Sequence, residues 1–288
     1  MNTLPFGKLS SLAATGLVIA MAAVGTANTA NAEVRPAQQP VRVQQAGAQF
    51  QQQAAPRGRA AAMNNPLYRS GRLADSGCAP GDLPRGSTAA YRKFLQRVTN
   101  CLNATWSTQF RKARIPFTKP RLRIVTGKVR TACGPWSSGA DGIYCPTDRT
   151  MYMLITKKQL RQPYPLGISR LMAHEYGHHV QQISGIWSYY WSARSASGKS
   201  GQLLLSRRSE LQAECFSAAF MSTVQDTLPV DPQQWEGTVD WFHKNGHKAW
   251  AQNDHGRGPT QATWMRRGFQ HASPGACNTW KVSPRYVS

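Results

Sequence analysis

The sequence predicts an α+β domain stapled by disulfides. Three observations carry that class: long segments with apolar residues at helical spacing, short β-branched or apolar runs beside turn residues, and an even count of six cysteines. The chain has 288 residues, 41% hydrophobic and 17% charged, enough for one sizeable core. Nine Trp, nine Tyr and nine Phe, with a mean hydropathy of -0.47, exclude a polytopic membrane protein and wholesale disorder.

Taken in order, the elements begin with a targeting segment. Lys8 follows the amino terminus, an apolar run spans 12–24, and Ala30, Asn31 and Ala32 form a small-residue cleavage pattern. Residues 1–32 therefore read as a secretory signal peptide, with an uncleaved N-terminal membrane anchor as the alternative. The apolar run falls short of the about 20 residues that a spanning helix needs. Residues 33–64 are rich in Gln, Ala, Pro and Arg and too poor in large apolar residues to offset their conformational entropy, so they read as a disordered linker. The folded domain is expected over 65–288.

Within it, Tyr91, Phe94, Leu95, Val98, Leu102 and Trp106 recur at helical spacing and predict a core helix over 88–106. Runs at 122–125 and 150–156 read as strands on either side of a Gly/Ser-rich turn. Ile168, Leu171, Met172 and Val180 mark a buried amphipathic helix, and Leu211, Phe216 and Phe220 another. Between these two, the aromatic string IWSYYW at 186–191 precedes a Gly/Ser-rich stretch. It reads as a flap on a flexible hinge that grips substrate or touches a membrane surface, with packed loop aromatics as the alternative.

Export through the N-terminal segment predicts an extracytoplasmic location, periplasmic or secreted, where cysteines form bridges. Cys133 and Cys145 flank the Gly/Ser-rich turn and would close a hairpin. Sequence order then suggests Cys78 with Cys101 and Cys215 with Cys277, one of fifteen pairings that six cysteines allow.

The segment that carries chemistry is His174-Glu175-Tyr176-Gly177-His178. On a helix, residues four apart share a face, so both imidazoles can reach one zinc ion while Glu175 sits beside a metal-bound water. Two buried structural histidines are the alternative. A zinc site of this kind needs a third protein ligand, and scarcity narrows the search. Lys and Arg number 35 against 13 Asp and Glu, a formal net charge of +22. Downstream of His178, only Glu210 and Glu214 sit together at i,i+4 on an apolar helix, which proposes Glu210 as the ligand and Glu214 as the acceptor that orients an imidazole. A solvated helix N-terminus behind Ser206 or Ser209 would also hold acids there.

Together, HEYGHHVQ at 174–181 and ELQAEC at 210–215 resemble the bacterial neutral zinc metallopeptidase family, a group of predicted H-E-x-x-H metalloproteases. Further matches are NPLY at 65–68, ACGPWSSGADGIYCPTD at 132–148, His255-Gly256, WMRRGF at 264–269 and ACNTW at 276–280. The resemblance implies a zincin-like α+β fold, its active-site helix packed on a small antiparallel sheet, with zinc held by His174, His178 and Glu210. It also places a histidine at 255, the candidate donor to the transition state, with His243 and His247 as rivals. Two departures stand out. Glu214 occupies a position usually held by aspartate in the family, and the segment 241–254 lacks the family's more acidic Gly-Asp-Asp run.

The expected activity is zinc-dependent peptide hydrolysis outside the cytoplasm, with Glu175 as general base. The alternative is a cationic envelope-binding protein whose zinc site is structural or inactive. His179 points about 100° away from His178 on a helix and is expected in the core or behind the ligands. In a zincin-like arrangement, 150–156 is a candidate edge strand for pairing with an extended peptide, and interior packing is its alternative. Peptide or protein substrates and anionic envelope polymers are the expected partners. Nucleic acid is not expected, and membrane contact only if the N-terminal segment stays uncleaved.

Overall fold

The computed structural model describes residues 53–137, 139–228 and 231–288. The expected signal segment, 1–32, and the linker as far as residue 52 lie outside the described residues. Among the described residues the chain folds as an α+β unit of eight α-helices and one three-stranded sheet. Ordered structure starts before Asn65, however. Helix α1, Gly58–Met63, buries Ala61 and Ala62 completely, so a disordered linker reaching to 64 is too long. Small side chains that fit a tight crevice do not register as an apolar run.

Helix α2, Thr88–Lys112, starts where the Ser87 hydroxyl accepts from the Ala90 amide at 3.1 Å, satisfying one orphan donor of the first turn. Its stripe from Tyr91 to Phe110 is buried, and Gln109, also buried, donates to the carbonyls of Ser70 and Gly71. That continuation carries the helix six residues past the predicted end.

Strands β1, Arg121–Val125, β2, Gly142–Cys145, and β3, Thr150–Leu154, lie in the order β1-β3-β2. β2 runs antiparallel to β3 but β1 runs parallel to it, so the sheet is mixed rather than antiparallel. The β2–β3 turn is short, with Arg149 at φ +53° and Asp148 accepting from the Thr150 amide. The segment between β1 and β2 is long enough to carry the chain to the far edge. Period-two patterning reports which face is buried and says nothing of direction. Residues 150–154 of that run are therefore the central strand, fully buried, and not an edge for pairing with substrate, while Thr156 caps the next helix; β2 is the edge beside the candidate site.

After α3, Lys157–Arg161, come α4, Pro165–Ile183, and α5, Ile186–Ser195. The expected flap at 186–191 is thus helical. Gly185, at φ +84°, ends α4 and starts α5, and Ile186, Trp187 and Tyr190 pack inward at helical spacing. Helix α6, Lys199–Thr223, crosses α4 and is buried nearly all round from Ser206 to Met221. The contact is close because Gly177 of α4 lacks a side chain: a Cβ there would stand 3.0 Å from the Ala213 Cα and 3.1 Å from its carbonyl oxygen. Helices α7, Pro232–Asn245, and α8, Gly258–His271, complete the unit.

The bridges are Cys78–Cys101, Cys133–Cys145 and Cys215–Cys277. The first holds the entering segment to α2, the second ties the long loop to β2, and the third fastens α6 to a C-terminal 3-10 turn, Pro274–Cys277. No helix among the described residues is long and apolar enough to cross a membrane.

Candidate metal centre and active site

The crossing of α4 and α6 brings three side chains to one point. His174 and His178, one turn apart on α4, stand with ring centroids 4.8 Å apart and planes nearly perpendicular. Glu210 comes from α6. Its Oε2 lies 3.3 Å from His174 Nε2 and 3.2 Å from His178 Nε2, and the three ligand atoms fall within 4.8 Å of one another.

Each ring is oriented from behind. Gln181 Nε2 donates to the Ser209 carbonyl at 2.8 Å and to Gln212 Oε1 at 3.1 Å, so its Oε1 faces His178 Nδ1, 3.0 Å away. An amide oxygen only accepts, so the proton sits on Nδ1 and the lone pair of His178 is on Nε2. Glu214 does the same for His174: its Oε2 lies 3.1 Å from Nδ1 and is held in turn by the Arg170 guanidinium. Arg170 precedes His174 by one turn and lies over the Phe242 ring at 4.4 Å.

The electrostatics suit a cation. Burial opposes charge on Glu214, yet Arg170 and His174 hold its carboxyl down at about 2. Burial equally opposes charge on His174, but Glu210 and Glu214 raise the imidazole to about 10, and His178 is raised against its own burial by Glu210. Glu210 is held well below the usual carboxylate range, against burial, by His178, His255 and His174. Arg170 already answers Glu214, so the charge that draws protons onto both imidazoles is chiefly that of Glu210 between them. Two imidazole nitrogens and one carboxylate oxygen, with both Nδ1 atoms already engaged, are a donor set that a borderline divalent ion such as zinc accepts in their place.

Glu175, the next residue on α4, is buried and points to the sheet edge, where its Oε2 accepts from the Tyr144 amide of β2 at 2.7 Å. The approach is close at Gly142, where a Cβ would come within 3.2 Å of the Glu175 Cγ. His255 joins from the segment before α8, its Nε2 3.3 Å from Glu210 Oε2. Its Nδ1 meets Asp254 Oδ1 at 2.7 Å, and Trp250 stacks on its ring. The departure segment 241–254 thus supplies neighbours of the site. His243 and His247 are exposed and outside the cleft lining. His179 is core: Nε2–H donates to the Thr118 carbonyl at 2.6 Å, so Nδ1 accepts from the Tyr144 hydroxyl at 3.0 Å.

These groups open into a cleft of about 690 Å³ between the β2 edge and α5 and α7. Trp191, Trp241 and Trp250, among the most exposed large apolar side chains, all line it. Sequence reasoning overlooked Arg170, Gln181, Trp250 and Asp254. Arg170 had a signal, since it lies four residues before His174 on the same helical face. Gln181 had another, as a polar residue on an apolar helix.

The chain is 29% identical over 206 residues to "Uncharacterized protein YpfJ" of Escherichia coli (strain K12), covering 66% of this chain and 72% of that one. It is 29% identical over 242 residues to "Uncharacterized protein Rv2575" of Mycobacterium tuberculosis (strain ATCC 25618 / H37Rv), covering 71% and 78%. No solved structure matches. The family described as "Putative neutral zinc metallopeptidase" matches residues 80–280, a span that holds α4, α6 and His255. With the match taking in most of the folded unit, the chain belongs to that family.

Proposed function

We propose that the protein is a zinc-dependent endopeptidase that works outside the cytoplasm. The observation that carries this reading is the convergence of His174, His178 and Glu210 with Glu175 beside them on the cleft wall. Zinc held by these three residues would polarise a scissile carbonyl and acidify a water to a pKa of about 7. Glu175 takes the proton of the attacking water and passes it to the leaving amine; the Tyr144 amide fixes one of its oxygens and leaves the other to carry the proton. His255 donates from Nε2 to the carbonyl oxygen as charge develops, while Asp254 holds Nδ1–H and stabilises the charged ring.

Three disulfides suit an oxidising compartment, and residues 1–32 supply the export signal in this reading. The high positive charge serves contact with anionic envelope polymers. The test is purified protein on an unfolded protein substrate, with metal analysis. Glu175→Gln is expected to keep stoichiometric zinc and lose turnover. Full activity in that variant would sink the mechanism, and wild-type protein that binds zinc but cuts nothing would favour a cationic binding protein with a structural site.

A further inference from the structure

A second cavity, of about 500 Å³, lies between the start of α4 and one face of α7. Tyr164, Gly167 and Arg170 form one wall and Gly237, Trp241 and Phe242 the other. It adjoins the cleft: Arg170, Trp241 and Phe242 line both. A peptide lying in the cleft along Arg170, Trp241 and Phe242 has this cavity beside it.

What the cavity accepts follows from how its polar groups are used. The Tyr164 hydroxyl is bonded to Thr238 Oγ1 at 2.7 Å. Arg170, the one charged side chain among the described lining residues, is engaged by Glu214 and by the Phe242 ring. A carboxylate or ammonium entering here would shed part of its hydration, find Arg170 already balanced by Glu214, and meet no further charge, since the remaining polar side chain of the lining, Gln234, is neutral. Rings, by contrast, are on offer: Trp241 is 53% and Tyr164 44% exposed, and covering them removes apolar surface from water. The volume suffices for an aromatic side chain.

Building on the peptidase reading, we infer that this cavity is a side-chain subsite that takes one large apolar residue, aromatic or long aliphatic, of the peptide in the cleft. Substrate preference is then set by α7 and the start of α4, away from the metal ligands. The residue in the cavity also packs against Arg170, which holds Glu214 behind His174.

Gly237 allows the cavity to be plugged. A Cβ there meets nothing within 4 Å, and leucine in place of a helix glycine favours the helix, so Gly237→Leu is expected to fold and fill the space. Zinc-loaded wild type and Gly237→Leu are given a reduced, carboxymethylated protein, and the cut sites are mapped by mass spectrometry. Wild type is expected to require a large apolar residue at one fixed position, and the variant to cut such bonds about tenfold or more slowly relative to bonds with alanine there. Trp241→Ser, which removes the exposed ring of the α7 wall, is expected to erode the same preference. Identical cut profiles in all three proteins overturn the subsite and leave the peptidase reading standing. Binding of N-acetyl-phenylalaninamide against N-acetyl-alaninamide, followed by saturation-transfer NMR, needs no turnover. Selective binding by wild type that the plug abolishes, without cleavage by any form, keeps the subsite and removes the peptidase; no selectivity in wild type overturns the subsite.

Discussion

The indole of Trp250 lies flat on the imidazole of His255, ring centroids 3.6 Å apart and planes 3° from parallel, while Asp254 holds the ring from its Nδ1 side. A side chain that must donate to a developing charge gains from being fixed before the reaction begins. Trp250→Ala is expected to lower kcat about tenfold with zinc content unchanged, and His255→Ala about a hundredfold or more. Trp250→Phe should restore most of the rate. Steady-state kinetics with parallel metal analysis checks this; loss of zinc in either alanine variant would mean that His255 serves the metal instead.

Gln181 is the amide that faces His178 Nδ1 from behind, oriented by Ser209 and Gln212. Gln181→Leu removes the acceptor for Nδ1–H and frees the ring to turn. Zinc affinity is expected to fall about 10–100-fold, as for other outer partners of ligand histidines. Competition with a calibrated chelator reads this directly. Unchanged affinity would show that packing against Trp187, 5.2 Å between centroids, suffices to hold the ring.

At Gly177 two effects oppose each other. Alanine is favoured over glycine in a helix by up to about 1 kcal/mol, but the new methyl would meet the Ala213 backbone at 3.0 Å, and overpacking of this kind costs about 1–3 kcal/mol. The overlap is with backbone, which yields little, so Gly177→Ala is expected to be net destabilising in denaturant titration and to weaken zinc binding as α6 is pushed outward. A variant as stable as wild type would show that the helices can separate without cost.

His179 gives stability a pH dependence. Burial lowers its pKa to about 4, below the ordinary value of 6.5, despite the bond to Thr118. Between those values the unfolded chain binds a proton that the folded chain excludes, so this residue's effect is absent above pH 6.5. It grows as pH falls and saturates below pH 4 at up to about 3 kcal/mol of lost stability. His179→Gln, able to serve both Tyr144 and Thr118, is expected to remove that slope in the metal-free protein. Equal slopes in urea titrations from pH 8 to 4 would contradict the assignment.

Tethering Cys215 to Cys277 closes a loop of 62 residues, which in the chain-entropy account contributes about 4 kcal/mol. The Cys215→Ala, Cys277→Ala double variant is expected to unfold at markedly lower urea concentration, with the other two bridges intact.

What the sequence discloses of this molecule follows from where each determinant is written. His174, Glu175 and His178 fall within five consecutive residues, and a helical period is enough to bring the two rings together. Glu210 is reachable because acids are scarce, so a pair of them on an apolar helix is conspicuous. Arg170 shares a helical face with His174, but its partner Glu214 is 44 residues further on, and Trp250 sits in an irregular segment before His255 where no period applies. The parallel pairing of β1 with β3 is invisible for a similar reason: alternation fixes the face of a strand, and only the path of the connecting chain fixes its direction. Residues 186–195 misled by composition, since serine and aromatics are weak helix formers whose helicity here comes from burying Trp187 and Tyr190.

Because the α4 and α6 backbones meet at Gly177 without an intervening side chain, the spacing of the three donors is inherited from a contact deep in the core. A cation that fits this preset spacing binds the folded form in preference to the unfolded chain, so the melting temperature should climb with free zinc as the logarithm of its concentration.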